Sequence, residues 1–205
     1  MDHGTARRTR LSQHWTDRAP GALLVVGVSL GLLWALEIVD TVLGGRLDGY
    51  GIHPRDLGGL DGLLFAPFLH AGFEHLIANS TSYAVLAFAT YLVVNAARFL
   101  GVVVITALTS GLGAWFLGSP GTVVVGASGV IFGLLGFLLV RGLFVRSVGS
   151  IAVSVVVLLL YGGMLSGVLP GMPYVSWQGH LFGFLGGVLA AWLMRRRSRE
   201  SAVVR

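Results

Sequence analysis

A serine hydroxyl is a poor nucleophile until a base takes its proton, and histidine is the base most often found beside it. This 205-residue chain carries a serine between small residues, in Gly126-Ala127-Ser128-Gly129, and a histidine, His180, inside a separate apolar run. Hydrocarbon offers polar groups no partners, so a serine and a histidine at membrane depth point to function. Acyl transfer from a peptide bond within the bilayer is a chemistry that fits, with Ser128 attacking and His180 as its base. If Ser128 opens a helix, the unpaired N–H groups of that first turn suit a developing oxyanion. Gly126 and Gly129 leave the hydroxyl accessible, although Val130 rules out the G-x-S-x-G elbow of soluble hydrolases. The plain alternatives are a serine bonded to its own helix and a histidine bonded to a carbonyl of the next one.

A third group of residues is His70-x4-His75-x3-Asn79. His75 and Asn79 are four apart and share one face of a helix, where both side chains can donate hydrogen bonds to an oxyanion. Metal binding is the rival reading for His70, His75 and His180. No HExxH pattern or fitting carboxylate supports it, and neither metal nor cofactor is expected. No Asp or Glu lies between Glu74 and Glu200, so the runs bearing Ser128 and His180 hold no acid to orient the imidazole. A Ser-His dyad is expected in place of a triad. Phe132, one turn after Ser128, is placed to pack on the ring of His180, or else is a core residue.

Composition says what must position these groups. The chain is 55% hydrophobic and 11% charged, with a mean hydropathy of +0.82, whereas soluble domains carry about 25% charged residues. An all-α integral membrane protein is therefore expected. There are no cysteines, which excludes disulfides, thiolate metal sites and a cysteine nucleophile. Spanning hydrocarbon takes roughly 20 apolar residues, and six stretches qualify, at about 22–43, 76–94, 99–117, 126–140, 150–169 and 177–194. The fourth is short, its apolar run stopping at Arg141, so a helix opened by Ser128 must start below the membrane surface. Backbone ends at that depth only where it meets protein or water. The expected organisation is a tail at 1–20, a six-helix membrane domain at 21–194 and a basic tail at 195–205.

All 14 basic residues are arginines, and they flank the apolar runs instead of forming a stripe, which argues against a nucleic-acid partner. With six spans, 12 of them fall on the side of the termini and only Arg46 and Arg55 on the other. That asymmetry predicts cytoplasmic termini in a multi-pass protein, expected in a bacterial plasma membrane. The first apolar run is too long for a signal-peptide core and is read as an uncleaved helix. The arginines from Arg195 to Arg199 read as a topology anchor on anionic headgroups. Glu37 and Asp40 read as interfacial or loop-capping residues. Residues 44–75 form a long external loop whose late apolar patch (Leu63, Leu64, Phe65, Phe68, Leu69) predicts partial burial in the interface. Glycines crowd the fourth and sixth runs, and Gly183 and Gly187 make a small-xxx-small pair. Close packing of those two helices would bring Ser128 and His180 within reach.

In this order the segments FLHAGFEHLIAN (68–79), GASGVIFGLLG (126–136) and GHLFGFLGG (179–187) resemble the rhomboid family of intramembrane serine proteases. The resemblance covers nearly all of residues 22–194. It implies a six-transmembrane-helix rhomboid-like bundle with a Ser128–His180 dyad. The implied oxyanion donors are His75, Asn79 and the Ser128 N–H, and the implied supporting residues are Phe132, Gly126, Gly129, His70, Gly183 and Gly187. It implies transmembrane protein substrates in the lipid bilayer, a membrane-embedded first loop, and a substrate gate formed by the fifth helix and the loop after it. Phe132 stands where many relatives carry Tyr, and the Trp-Arg pair common in the first loop is absent. A pseudoprotease that captures client helices and a small permease are the other function classes. The retained serine and histidine weigh against the first, and the lack of an internal repeat against the second.

Overall fold

The computed structural model describes residues 15–203, with side chains as far as Arg195. The arginines at 7, 8 and 10, and the side chains of those beyond 195, fall outside the described residues. Helix α1 is Ala19–Val42, entered through Pro20, where a missing N–H costs nothing. It ends where Gly44 and Gly45 take positive φ. A long connection follows, made of the 3-10 turns Leu47–Tyr50, Leu57–Gly59 and Ala66–Phe68 and the single-turn helix α2, Gly62–Phe65. The remaining helices are α3 (Phe73–Val93), α4 (Ala96–Leu117), α5 (Ser128–Val145), α6 (Val148–Tyr161, continued as 3-10 to Val168) and α7 (Trp177–Val203). Among the described residues the only β pairing is an isolated antiparallel bridge between Ile52 and Val124.

Five of these helical runs are long and apolar enough to cross a membrane: Ala19–Val42, Phe73–Val93, Ala96–Leu117, Ser128–Val145 and Val148–Val168. The sixth expected crossing, 177–194, lies in α7, where Gln178, His180 and four glycines (Gly179, Gly183, Gly186, Gly187) dilute its apolar character. The fourth run does not stop at Arg141 as expected. It continues to Val145 because the Arg141 guanidinium is provided for, with Nη2 donating to the Val93 carbonyl at 2.8 Å.

Helix α5 is the centre of the bundle. Every residue from Gly129 to Leu138 is buried, as suits a helix that is apolar all round. Helix α7 reaches it backbone to backbone. A methyl added at Gly183 would strike the Gly129 carbonyl, and one at Gly187 the Gly133 carbonyl. Such an approach gathers dispersion contacts that lipid cannot match, and only glycine permits it. Helix α4 closes on the same axis, Thr106 against Gly133 and Ser110 against Gly129. Helix α6 is held differently: only Val157 is buried along it. It hooks onto α5 through Ser154, whose Oγ donates to the Leu138 carbonyl at 2.7 Å and accepts from Gly142 N at 3.2 Å. The centre is therefore closely packed, and α6 is attached along one edge.

Candidate active site

The glycine contact between α5 and α7 sets the register of two side chains. Ser128 is the first residue of α5 and His180 stands in the first turn of α7. Their separation is 2.9 Å between Ser128 Oγ and His180 Nε2. The other ring nitrogen, Nδ1, lies 3.0 Å from the Gly167 carbonyl. A carbonyl only accepts, so Nδ1 carries the proton and Nε2 presents its lone pair to the serine hydroxyl. The ring is also fixed from its face. Phe132 stacks on it with centroids 4.1 Å apart and planes 13° from parallel. The imidazole is thus held by a main-chain carbonyl and an aromatic plane, with no carboxylate involved.

Gly167 was not legible as part of this site, because a main-chain carbonyl leaves no mark in sequence. Its lack of a side chain is the one available signal. A methyl there would lie 2.8 Å from Phe132 Cζ and 3.3 Å from His180 Nδ1.

His75 and Asn79 approach Ser128 from α3. Gly126, with φ near +120°, turns the chain just before the serine, and the space its side chain would fill belongs to these two residues. A methyl on Gly126 would lie 2.9 Å from His75 Nε2 and 3.5 Å from Asn79 Nδ2. Asn79 is buried, and its Nδ2 has no hydrogen-bond partner. An orphaned buried donor is costly unless something else accepts from it. Two donors therefore converge beside the N–H groups that open α5, which have no partners within the helix. A cavity of about 910 Å³ reaches these groups, lined among others by His75, Asn79, Ser110, Ser128, Trp177 and His180.

The segment before Ser128 is braced by the long connection after α1. Ile52 and Val124 exchange both backbone bonds at 2.9 Å, and Gly126 N donates to the Ala66 carbonyl at 2.9 Å. Ala127 N donates to His70 Nε2 at 3.4 Å. His70 is 1% exposed and meets His75 edge to face at 5.2 Å. Burial, with the neighbouring His75 charge second, pushes its pKa down to about 4. It is neutral at physiological pH, as an acceptor must be. Trp115 on α4 ties down the far end of the connection, with Nε1 donating to the Asp56 carbonyl at 2.9 Å and its own carbonyl accepting from Arg55 N at 3.0 Å. That contact anchors the connection in the absence of a Trp-Arg pair, and nothing in the spacing announced it.

The structure thus brings Ser128, His180, Phe132, His75, Asn79 and Gly126 to one cavity wall. It places His70 behind them and Gly129, Gly183 and Gly187 in the helix contact beneath. Among the described residues no three His, Asp or Glu side chains are arranged to hold a metal ion. His180 directs both nitrogens elsewhere. Asp40 does cap the loop, Oδ1 accepting from Leu47 N at 2.6 Å. Glu37, one turn earlier, is buried at 4% exposure.

The profile of the Rhomboid domain matches residues 58–197 of this chain. An uncharacterized protein of Mycobacterium tuberculosis is 43% identical over 184 residues, spanning 86% of this chain and 76% of its own. The putative rhomboid protease YdcA of Bacillus subtilis is 35% identical over 61% of this chain and 62% of its own. Rhomboid protease GluP of the same organism is 32% identical over 63% of this chain and 25% of its own.

Proposed function

The chain belongs to the rhomboid family, and from that premise we propose that it is an intramembrane serine endopeptidase working through Ser128 and His180. The observation that carries this reading is the 2.9 Å contact between Ser128 Oγ and the Nε2 of a ring whose Nδ1 is held on Gly167. Ser128 Oγ attacks the scissile carbonyl carbon while its proton passes to His180 Nε2. The oxyanion is received by His75, Asn79 and the Ser128 N–H. The C–N bond breaks as His180 returns the proton to the leaving amine. Water then adds to the acyl-serine, giving one proton to His180, and serine is restored when the acid leaves. The cavity supplies that water.

In this reading α7 is the sixth crossing and both termini face the cytoplasm. The substrates are transmembrane proteins whose helices unwind locally, since a helical segment shields its own carbonyls. The weakly buried α6 and the loop after it form the gate through which a substrate enters. Leu64, Phe65 and Phe68, exposed on the connection after α1, rest in the membrane interface.

The test is labelling by a fluorophosphonate together with cleavage of a transmembrane reporter in proteoliposomes. Ser128→Ala and His180→Ala are expected to abolish both. Labelling or cleavage that survives Ser128→Ala would overturn the assignment.

A further inference from the structure

Far from the cavity, Arg18, just before α1, and Arg141 on α5 converge on the C-terminus of α3, and Arg98 opens α4 beside it. Arg18 Nη1 donates to the carbonyls of Leu92 and Val94, at 3.1 and 2.9 Å, while Arg141 Nη2 takes the Val93 carbonyl between them at 2.8 Å. Arg98 stands in the first turn of α4, four residues after Val94 (98 − 94). Arg141 lies 13 residues beyond Ser128 on α5 (141 − 128), about 20 Å along the axis. The cluster therefore sits at the opposite membrane face.

Helix capping explains part of this. The end of a helix carries about half a negative charge, which suits one guanidinium. Three full positive charges exceed it, and among the described residues no carboxylate pairs with them: the side-chain bonds of Arg18 and Arg141 go to main-chain carbonyls. Asp17, beside Arg18, is exposed. All three arginines are half-buried, where water screens their repulsion poorly. Arg141 Nε is buried without a hydrogen-bond partner. Charge of this kind is matched by an anion with several acceptor oxygens.

The adjoining surface says what that anion is attached to. A cavity of about 510 Å³ opens beside Arg98, lined by Asn95, Ala97, Arg98, Leu193 and Met194. One end is polar and cationic, the other apolar, and Leu193 is 47% exposed. A phosphate alone would leave the apolar end unfilled. We infer that the cleft between the start of α4 and α7 is a binding site for an anionic glycerophospholipid, its phosphodiester on Arg98 and in the field of Arg141 and Arg18, and an acyl chain along Ala97, Leu193 and Met194.

The site does not depend on the proposed proteolysis and is tested without it. The full chain is purified into nanodiscs of phosphatidylcholine with and without phosphatidylglycerol, and retained lipid is counted by native mass spectrometry, alongside the thermal midpoint. Phosphatidylglycerol is expected to be retained over phosphatidylcholine and to raise the midpoint. Each arginine near an anionic headgroup contributes about a fivefold preference, so Arg98→Gln is expected to reduce selective retention about fivefold. Arg98 makes no side-chain bond to α3, so this variant is expected to fold. Arg141→Gln is expected to lose more retention and also stability, because it uncaps α3. Inorganic phosphate is the second arm: stabilisation by phosphate equal to that by the lipid would make this a free-anion site and overturn the inference. Equal retention of both lipids, or retention unaltered in Arg98→Gln, would overturn it as well.

Discussion

Gly126→Ala adds one methyl in the place where the proposed mechanism puts the oxyanion. That methyl would lie 2.7 Å from His75 Cε1, 2.9 Å from His75 Nε2 and 3.5 Å from Asn79 Nδ2. His75 must retreat, Asn79 Nδ2 is left in ordinary contact with the methyl, and the methyl itself keeps the substrate carbonyl from both donors. Removal of one oxyanion donor typically costs about 10²–10³ in rate, so obstruction of two is expected to cost at least ~10³. The backbone adds a separate penalty: φ near +120° strains a non-glycine residue by about 1–3 kcal/mol, which lowers the melting midpoint without touching the chemistry. Turnover of a transmembrane reporter in proteoliposomes, below the melting range, separates the two. Adding Asn79→Ala gives a sharper readout. Alone it is expected to cost about 10²–10³; on top of Gly126→Ala it should cost almost nothing more, because the donor is already blocked. Turnover by Gly126→Ala within tenfold of the parent, or full additivity with Asn79→Ala, would refute the placement of the oxyanion.

Gly187→Val puts a branched side chain against the Gly133 carbonyl and Phe137 N. Overpacking of this kind costs about 1–3 kcal/mol. A lower midpoint by circular dichroism and loss of fluorophosphonate labelling are both expected, since α7 carries His180 away from Ser128. His70 gives a pH signature. Its folded pKa of about 4 lies below the unfolded value of 6.5, so the unfolded chain binds the proton first as pH falls. Its contribution is complete above about pH 6.5 and is lost towards pH 4, by up to ~3 kcal/mol. The fall in midpoint between these values is expected to be shallower in His70→Gln than in the parent.

The helices were legible because hydrocarbon imposes a strict rule: a crossing segment must be long, apolar and helical. The site was legible because lipid makes polar residues conspicuous. Ser128, His180 and Asn79 stand out in apolar runs as they never would in a soluble protein. What could not be read is main-chain work. The Gly167 carbonyl on His180, the Ile52–Val124 bridge and the Gly126 bond to Ala66 use groups that every residue owns. The fourth helix reads too short in the sequence for a related reason. Arg141 reads as an end because its partner, the Val93 carbonyl, lies on another helix, and no local pattern encodes that partner.

The missing acid has a physical explanation. In the proposed mechanism the imidazole must be oriented as a base and then stabilised as a cation. A carboxylate does both in soluble triads, but beside α5 it would have to be desolvated, at a cost of several kcal/mol. Here the two tasks are divided. The Gly167 carbonyl orients the ring, being already a dipole that hydrocarbon forces to find a partner. Phe132, stacked at 4.1 Å, offers its electron-rich face once the ring is charged. That face attracts a cation more strongly than the neutral ring it already holds, so its added help arrives when the serine proton does. Phe132 brings no hydroxyl of its own, and the division of labour does not need one.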